Sequence, residues 1–306
     1  MLPGTNHKQP VALFSAGNHT CRSPGRLQRP IRLVSMLAIL QLLAVMPAVC
    51  NAADNSNGSP SDQEMRERNA SHYYIAAGSA MVPDYEGSDY YQPLPLVIAR
   101  WIKRGRYIEL QGAKLRANLI AESLWQFGPV LRWDRARGDV GSHAVSTMEH
   151  IDGALEAGGF FGALLRDPAD PRRRLGLEVE GLQNINGVHD GYYITFDLSG
   201  GTPLNDKWMV SAGVTSTYAS SNYMQTYFGV SANNALRSGL PAFNARAGFK
   251  DVSVNASLSY AFTDRWGMLL GGQYSRLLDT ARDSPVVARA GSPDQYVVTL
   301  MATYQF

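Results

Sequence analysis

The last eleven residues, Tyr296 to Phe306, alternate in side-chain character with a period of two, and no other stretch constrains the fold as much. Tyr296, Val298, Leu300, Ala302, Tyr304 and Phe306 fall on one face. Gln295, Thr299, Thr303 and Gln305, interrupted by Val297 and Met301, fall on the other. A strand of about ten residues with an apolar face and a terminal aromatic fits a closed transmembrane barrel, whose lipid-facing band is flanked by aromatic girdles. The last strand of a soluble sandwich would alternate in the same way, so one strand does not decide.

The rest of the chain repeats the pattern. Val252, Val254, Ala256, Leu258, Tyr260 and Phe262 oppose Ser253, Asn255, Ser257, Ser259 and Ala261. After the turn Thr263-Asp264-Arg265, Trp266, Met268, Leu270, Gly272 and Tyr274 oppose Gln273 and Ser275, which makes a hairpin. Trp208 to Tyr218, Tyr192 to Leu198 and Leu175 to Val179 alternate likewise, with aromatics at strand ends. Short polar turns such as Asn205-Asp206-Lys207 take turns with longer segments near 83–92, 135–149, 220–246 and 279–294. Long loops on one rim and short turns on the other is the outer-membrane arrangement. Twelve strands are predicted, at 72–82, 93–102, 105–111, 113–120, 123–134, 150–162, 173–183, 190–200, 207–219, 248–262, 265–277 and 295–306. Without the hairpin of the third and fourth the count is ten. No helical period of useful length follows residue 53, which argues against an α/β enzyme. The fold class expected is all-β, a closed antiparallel transmembrane β-barrel with a disordered N-terminal segment.

A barrel exposes apolar side chains only at alternate positions, so a mean hydropathy of −0.19 does not exclude membrane residence. The one long apolar run, Ile31 to Val49, follows Arg22, Arg26, Arg29 and Arg32 and ends in Pro47 and the small residues near Cys50-Asn51-Ala52-Ala53. This is the layout of a secretory signal peptide with an N-terminal extension, expected over 1–53. Residues 54–71 read as a flexible linker and 72–306 as the barrel. Val49 and Pro47 make a poor lipidation signal at Cys50. Removal of 1–53 leaves 23 of the 28 basic residues against all 26 acidic ones, a net charge near −3 that argues against nucleic acid as a partner. Both cysteines, Cys21 and Cys50, leave as well, and with them any disulfide, thiol nucleophile or cysteine metal ligand.

Histidines are where a barrel hydrolase would place its base. His72, His143, His150 and His189 remain after residue 53. His189-Asp190, between Asn186-Gly187 and Gly191, reads as a turn, and the spacing of His143 and His150 around Glu149 is not a specific metal pattern. With no phosphate loop and no nucleophile elbow, no catalytic, cofactor-binding or metal residue is assigned and no cofactor is expected. Arg132, Glu156, Arg174, Glu178, Glu180 and Asp197 are expected to face the lumen as a mixed-charge network that stiffens the interior or lines a narrow path for solutes. Pro83 and Gly87 bracket the acidic tip Asp84 and Glu86 as turn chemistry requires. Ser284-Pro285 and Leu240-Pro241 are restricted dipeptides that stiffen long loops. Tyr223, Tyr227 and Phe228 either fold inward over the pore, pack within their loop or contact a partner.

Several motifs resemble the MipA/OmpV family of outer-membrane proteins. They are Val82-Pro83-Asp84-Tyr85-Glu86-Gly87-Ser88, Pro93-Leu94-Pro95, Gly128-Pro129-Val130-Leu131-Arg132, Thr226-Tyr227-Phe228-Gly229-Val230-Ser231, Ser238-Gly239-Leu240-Pro241-Ala242-Phe243, Asp283-Ser284-Pro285-Val286-Val287 and Tyr304-Gln305-Phe306. Phe243 stands where the family more often shows tyrosine. The resemblance implies a non-enzymatic scaffold that joins a lytic transglycosylase to a penicillin-binding protein at the cell envelope. Other members are linked to adhesion or osmotic response. It also implies outer-membrane lipids as surroundings and the barrel-assembly machinery as a partner during biogenesis, with Phe306 part of the signal that machinery reads. A narrow diffusion channel is the alternative that the charged inner face suggests, and a lipid- or peptide-cleaving barrel built on His189 is a third.

Overall fold

The computed structural model describes residues 71–121 and 124–306, so the expected leader (1–53) and the linker up to residue 70 lie outside the described residues. Twelve strands follow one another: β1 (Ser71–Pro83), β2 (Tyr91–Lys103), β3 (Arg106–Gln111), β4 (Lys114–Asn118), β5 (Trp125–Asp134), β6 (Ala154–Arg166), β7 (Arg174–Asn184), β8 (Tyr192–Pro203), β9 (Trp208–Ala219), β10 (Gly248–Ala261), β11 (Trp266–Leu277) and β12 (Asp294–Gln305). Each pairs antiparallel with its sequence neighbour, and β12 returns to β1 with Tyr74 opposite Gln305 and Met81 opposite Val298. The sheet is therefore closed and keeps no open edge along this seam. The expected all-β closed barrel and its count of twelve are as observed.

The period-two pattern decides which face is which. In β12 Leu300 is 54% exposed, whereas its neighbours Thr299 and Met301 are buried. Val97, Leu131, Leu177, Val214, Val254 and Leu270 also point outward, so the outer wall is apolar strand after strand. Water cannot be the solvent of such a continuous surface, and a bilayer can. At the short-turn rim Trp266, Tyr304 and Phe306 stack in sequence with centroids 4.7 Å apart, and Phe306 reaches Tyr73 at 6.2 Å. Trp208, Tyr260 and Phe262 continue this aromatic belt. Among the described residues no helix is long and apolar enough to cross a membrane, which says nothing about strands.

Gly78 sits on the closing seam. A Cβ there would lie 2.0 Å from the Leu300 carbonyl oxygen, a backbone atom that cannot step aside without opening the β1–β12 ladder. Gly78→Ala is expected to cost about 1–3 kcal/mol, the usual range for overpacking. A lower urea midpoint of the folded barrel would register this; an unchanged midpoint would show that the seam yields.

Boundaries depart from expectation in particular places. The sixth strand runs 154–166 rather than 150–162, because the chain from Arg135 to Gly153 folds as a loop whose two arms meet at the Arg137–Ile151 bridge. β3 and β4 are shorter than predicted and turn at Gly112-Ala113, so their hairpin ends low on the long-loop side. Above that turn, where Gly112 N–H meets the Val97 carbonyl, β2 has no β3 partner for Tyr91–Leu96. Alternation places the N–H positions of residues 93 and 95 on this unpaired side, and both are proline. With two of its three donors missing, this edge is a poor template for another strand. The long loops also carry short helices that the sequence did not disclose: α1 (His143–Ser146), α2 (Ser221–Phe228), α3 (Ala232–Ser238), α4 (Asp279–Asp283) and α5 (Pro285–Ala288). Pieces of four to eight residues are too short to show a period and too short to be stable alone. Caps and packing hold them. Ser231 Oγ accepts from Asn234 N–H, Gly239 supplies a left-handed C-cap, and Pro285 sits in the first turn of α5.

Candidate functional site

The lumen is where charge collects, and β-strand alternation is what puts it there. Arg132, Glu156, Arg174, Glu178, Glu180 and Asp197, expected to face inward, all line the interior or are buried in it. Two cavities within it are bounded mainly by charged and polar side chains. The lower one, toward the short turns, has a volume of about 160 Å3 and is bounded by β2 to β8. The upper one, of about 150 Å3, lies beneath the long loops.

In the lower cavity the charges pair across strands. Lys114 Nζ meets both Glu180 oxygens at 2.7 and 2.8 Å, and Arg116 grips Glu178 with two bonds of 2.9 and 3.0 Å. Arg116 also donates to the Tyr107 hydroxyl at 2.7 Å and lies 4.1 Å above the Phe160 ring. Arg100 stacks on Tyr107 at 3.9 Å and approaches Glu109 at 3.2 Å. Bidentate guanidinium pairs of this kind fix geometry as well as charge.

In the wall of the upper cavity, which Arg132, Asp134 and Tyr193 line, lies a network the sequence did not reveal. Glu156 is fully buried and accepts from Tyr193 at 2.6 Å and from His189 at 3.2 Å. Arg132 donates to Asp134 at 2.8 Å and to the Tyr193 hydroxyl at 2.9 Å. His189 Nδ1 accepts the Gly191 N–H at 3.1 Å, which assigns the ring proton to Nε2 and directs it at Glu156. Both ring nitrogens are thus engaged, and neither is free to act as a base. The turn reading of His189 holds for its backbone, since Asn184 Oδ1 accepts from Val188, His189 and Asp190, but its side chain points inward rather than to solvent. His72 lies in β1, and His143 and His150 lie in the β5–β6 loop, where His150 contacts Asp152 at 3.4 Å. Among the described residues no group of three or more His, Cys, Asp or Glu could hold a metal ion.

The loops close the upper end. Tyr223, Met224 and Phe228 of α2 are buried in one apolar cluster that descends through Tyr193, Leu182, Phe160 and Val130 to Tyr107. Of the three placements open for the aromatic loop, the inward one is observed. The acidic tip locks it in place: Glu86 accepts from Tyr223 at 3.0 Å and pairs with Lys250, and Asp84 accepts the Gly141 N–H at 2.9 Å. Gly87 takes φ +95°, and a Cβ there would collide with Val287. Ser284 donates to the Phe228 carbonyl at 2.6 Å, which joins the Ser284-Pro285 motif to α2. Arg137 donates to the Tyr227 carbonyl at 2.6 Å; burial pushes its pKa down to about 10, against the opposing pull of Tyr85 and Tyr227, so it remains a cation at neutral pH. Burial also pushes the Tyr223 and Tyr227 phenols well up, and they act as neutral hydroxyls.

This arrangement holds most of the inward charge in pairs beneath a roof formed by α2. A family model described as MltA-interacting protein MipA matches residues 75–306. The MltA-interacting proteins of Escherichia coli (strain K12) and Shigella flexneri are each 29% identical over 134 residues, which is 44% of this chain and 50% of theirs. The chain spans about half the length of the curated relatives it matches. Among solved structures, an outer-membrane channel from Pseudomonas putida F1 aligns with a TM-score of 0.40 at 11% identity, over 78% of this chain and 96% of that one. The outer-membrane expressed OmpT of Vibrio cholerae aligns with a TM-score of 0.35 at 13% identity, over 76% and 77%.

Proposed function

The chain belongs to the MipA family, and on that premise we propose that this outer-membrane β-barrel is a docking platform with no catalytic activity of its own. Its short-turn rim, periplasmic in outer-membrane barrels, recruits a lytic transglycosylase and a penicillin-binding protein. The filled lumen carries the reading. A barrel whose interior is bridged by Arg116–Glu178 and Lys114–Glu180 and roofed by α2 gains rigidity rather than throughput. Rigid elements hold a docking surface in register, which loops alone do not. The description of the family and of the matched relatives, MltA-interacting protein, supports the class of partner. Crosslinking in intact envelopes, followed by mass spectrometry of the captured species, is expected to recover at least one murein hydrolase or synthase. Recovery of neither removes the proposal.

One observation favours a narrow channel as a second reading. Thr195 lines both cavities, and its buried hydroxyl has no hydrogen-bond partner. A thread of water past Thr195 would satisfy it and join the two chambers. Single-channel recording in planar bilayers tests this, and the absence of conductance steps rejects it.

A further inference from the structure

Among the described residues, Arg174 is the guanidinium of the lower cavity whose buried Nη2 is left over after the charges are paired. Glu180 is taken by Lys114, Glu178 by Arg116, and Glu109 lies within ion-pair distance of both Arg100 and Arg116. Asp197 accepts from Thr215 at 2.9 Å and forms no ion pair among the described residues. Arg174 Nη2 is closed off from solvent with no hydrogen-bond partner, and no carboxylate lies within ion-pair distance of this guanidinium among the described residues. The register worsens its position. Arg166 stands directly opposite on β6, and like charges in facing positions repel. A water could satisfy the hydrogen bond but not the charge.

We propose that the short-turn mouth of the lumen is a binding site for one small oxyanion, a carboxylate or phosphate group, held by Arg174 with Arg166 beside it. Room is provided by residues without bulk: Gly162, Gly176 and Gly200 line the same cavity, whose volume of about 160 Å3 exceeds that of a single phosphate or acetate. Access comes from the rim, where Arg166 is exposed. The forked donor geometry of a guanidinium matches two oxygens of either anion. The anion would balance the positive charge that Arg174 holds at the mouth.

The test is calorimetric titration of the full-length protein in a zwitterionic detergent, with inorganic phosphate and, separately, acetate, at ionic strength held constant by chloride. Saturable 1:1 binding of at least one anion is expected, weakened at least tenfold in Arg174→Gln and unchanged in Arg282→Gln, an exposed loop residue paired with Asp283. Binding of phosphate alone identifies a tetrahedral ligand group and binding of acetate alone a carboxylate; both support the site. Arg174→Lys keeps the charge without the fork and is expected to bind at least threefold more weakly, which keeps the test open if the glutamine variant does not fold. Absence of saturable binding for both anions, or wild-type affinity in either folded Arg174 variant, overturns the site.

Discussion

Glu156→Leu is expected to lower the stability of the folded barrel by about 3–5 kcal/mol, the range for removing one member of a buried charged network. The side chain has no exposed surface, and three groups from separate parts of the chain converge on it. Without its carboxylate, the Tyr193 hydroxyl and His189 Nε2 lose their acceptor and Arg132 keeps only Asp134 as an acidic partner. Leucine cannot accept either bond, whereas Glu156→Gln offers one carbonyl oxygen and is expected to cost roughly 1.5–3 kcal/mol, the worth of a charged hydrogen bond. Urea unfolding in detergent, with the mobility difference between boiled and unboiled samples as the sign of closure, ranks the three proteins. Equal midpoints for wild type and Glu156→Leu would falsify the view that this network holds the upper part of the lumen together.

Leu300→Arg is expected to cost about 2–4 kcal/mol, because the residue stands halfway along β12 on the lipid side and its side chain would place a guanidinium near the bilayer midplane. The same change at Tyr304, close to the aromatic rim, should cost about 0–1 kcal/mol, since interfacial depth is far less hostile to charge. Refolding into liposomes measures both. The contrast between the two positions, rather than either value, tests the membrane placement: equal costs would mean that the outer wall is not immersed as its pattern implies.

Side-chain alternation made the wall legible and left the centre obscure. Val252 to Phe262 and Trp266 to Tyr274 could be paired from sequence because inward and outward positions differ in polarity at every step, and they form one hairpin in register. Glu156 and Arg132 could be placed in the lumen by the same parity. That Glu156 would meet His189 and Tyr193 could not, because His189 comes from a loop, Tyr193 from β8 and Glu156 from β6, and no local spacing encodes their meeting. The Asn186-Gly187 signal beside His189 marked the turn but not the direction of the imidazole. Short α2 escaped for a related reason. Its burial depends on Glu86 and Lys250, far away in sequence, rather than on a helical stripe. Partial foresight came from Tyr223, Tyr227 and Phe228, whose aromatic density within a long loop does mark a segment that must bury itself.

The β1–β12 ladder has a consequence for the time course of assembly. Every other ladder joins strands adjacent in sequence, so hairpins can zip outward from their turns with little loss of chain entropy. Tyr74 and Gln305 are brought together only after the intervening strands have ordered, which makes this pairing the step of highest contact order and places it late. Until then β1 and β12 present two open edges to whatever surrounds them. Before that pairing forms, the ladders between sequence neighbours describe an open curved sheet. Pairing of β1 with β12 within one chain therefore competes with pairing of either edge with a second copy.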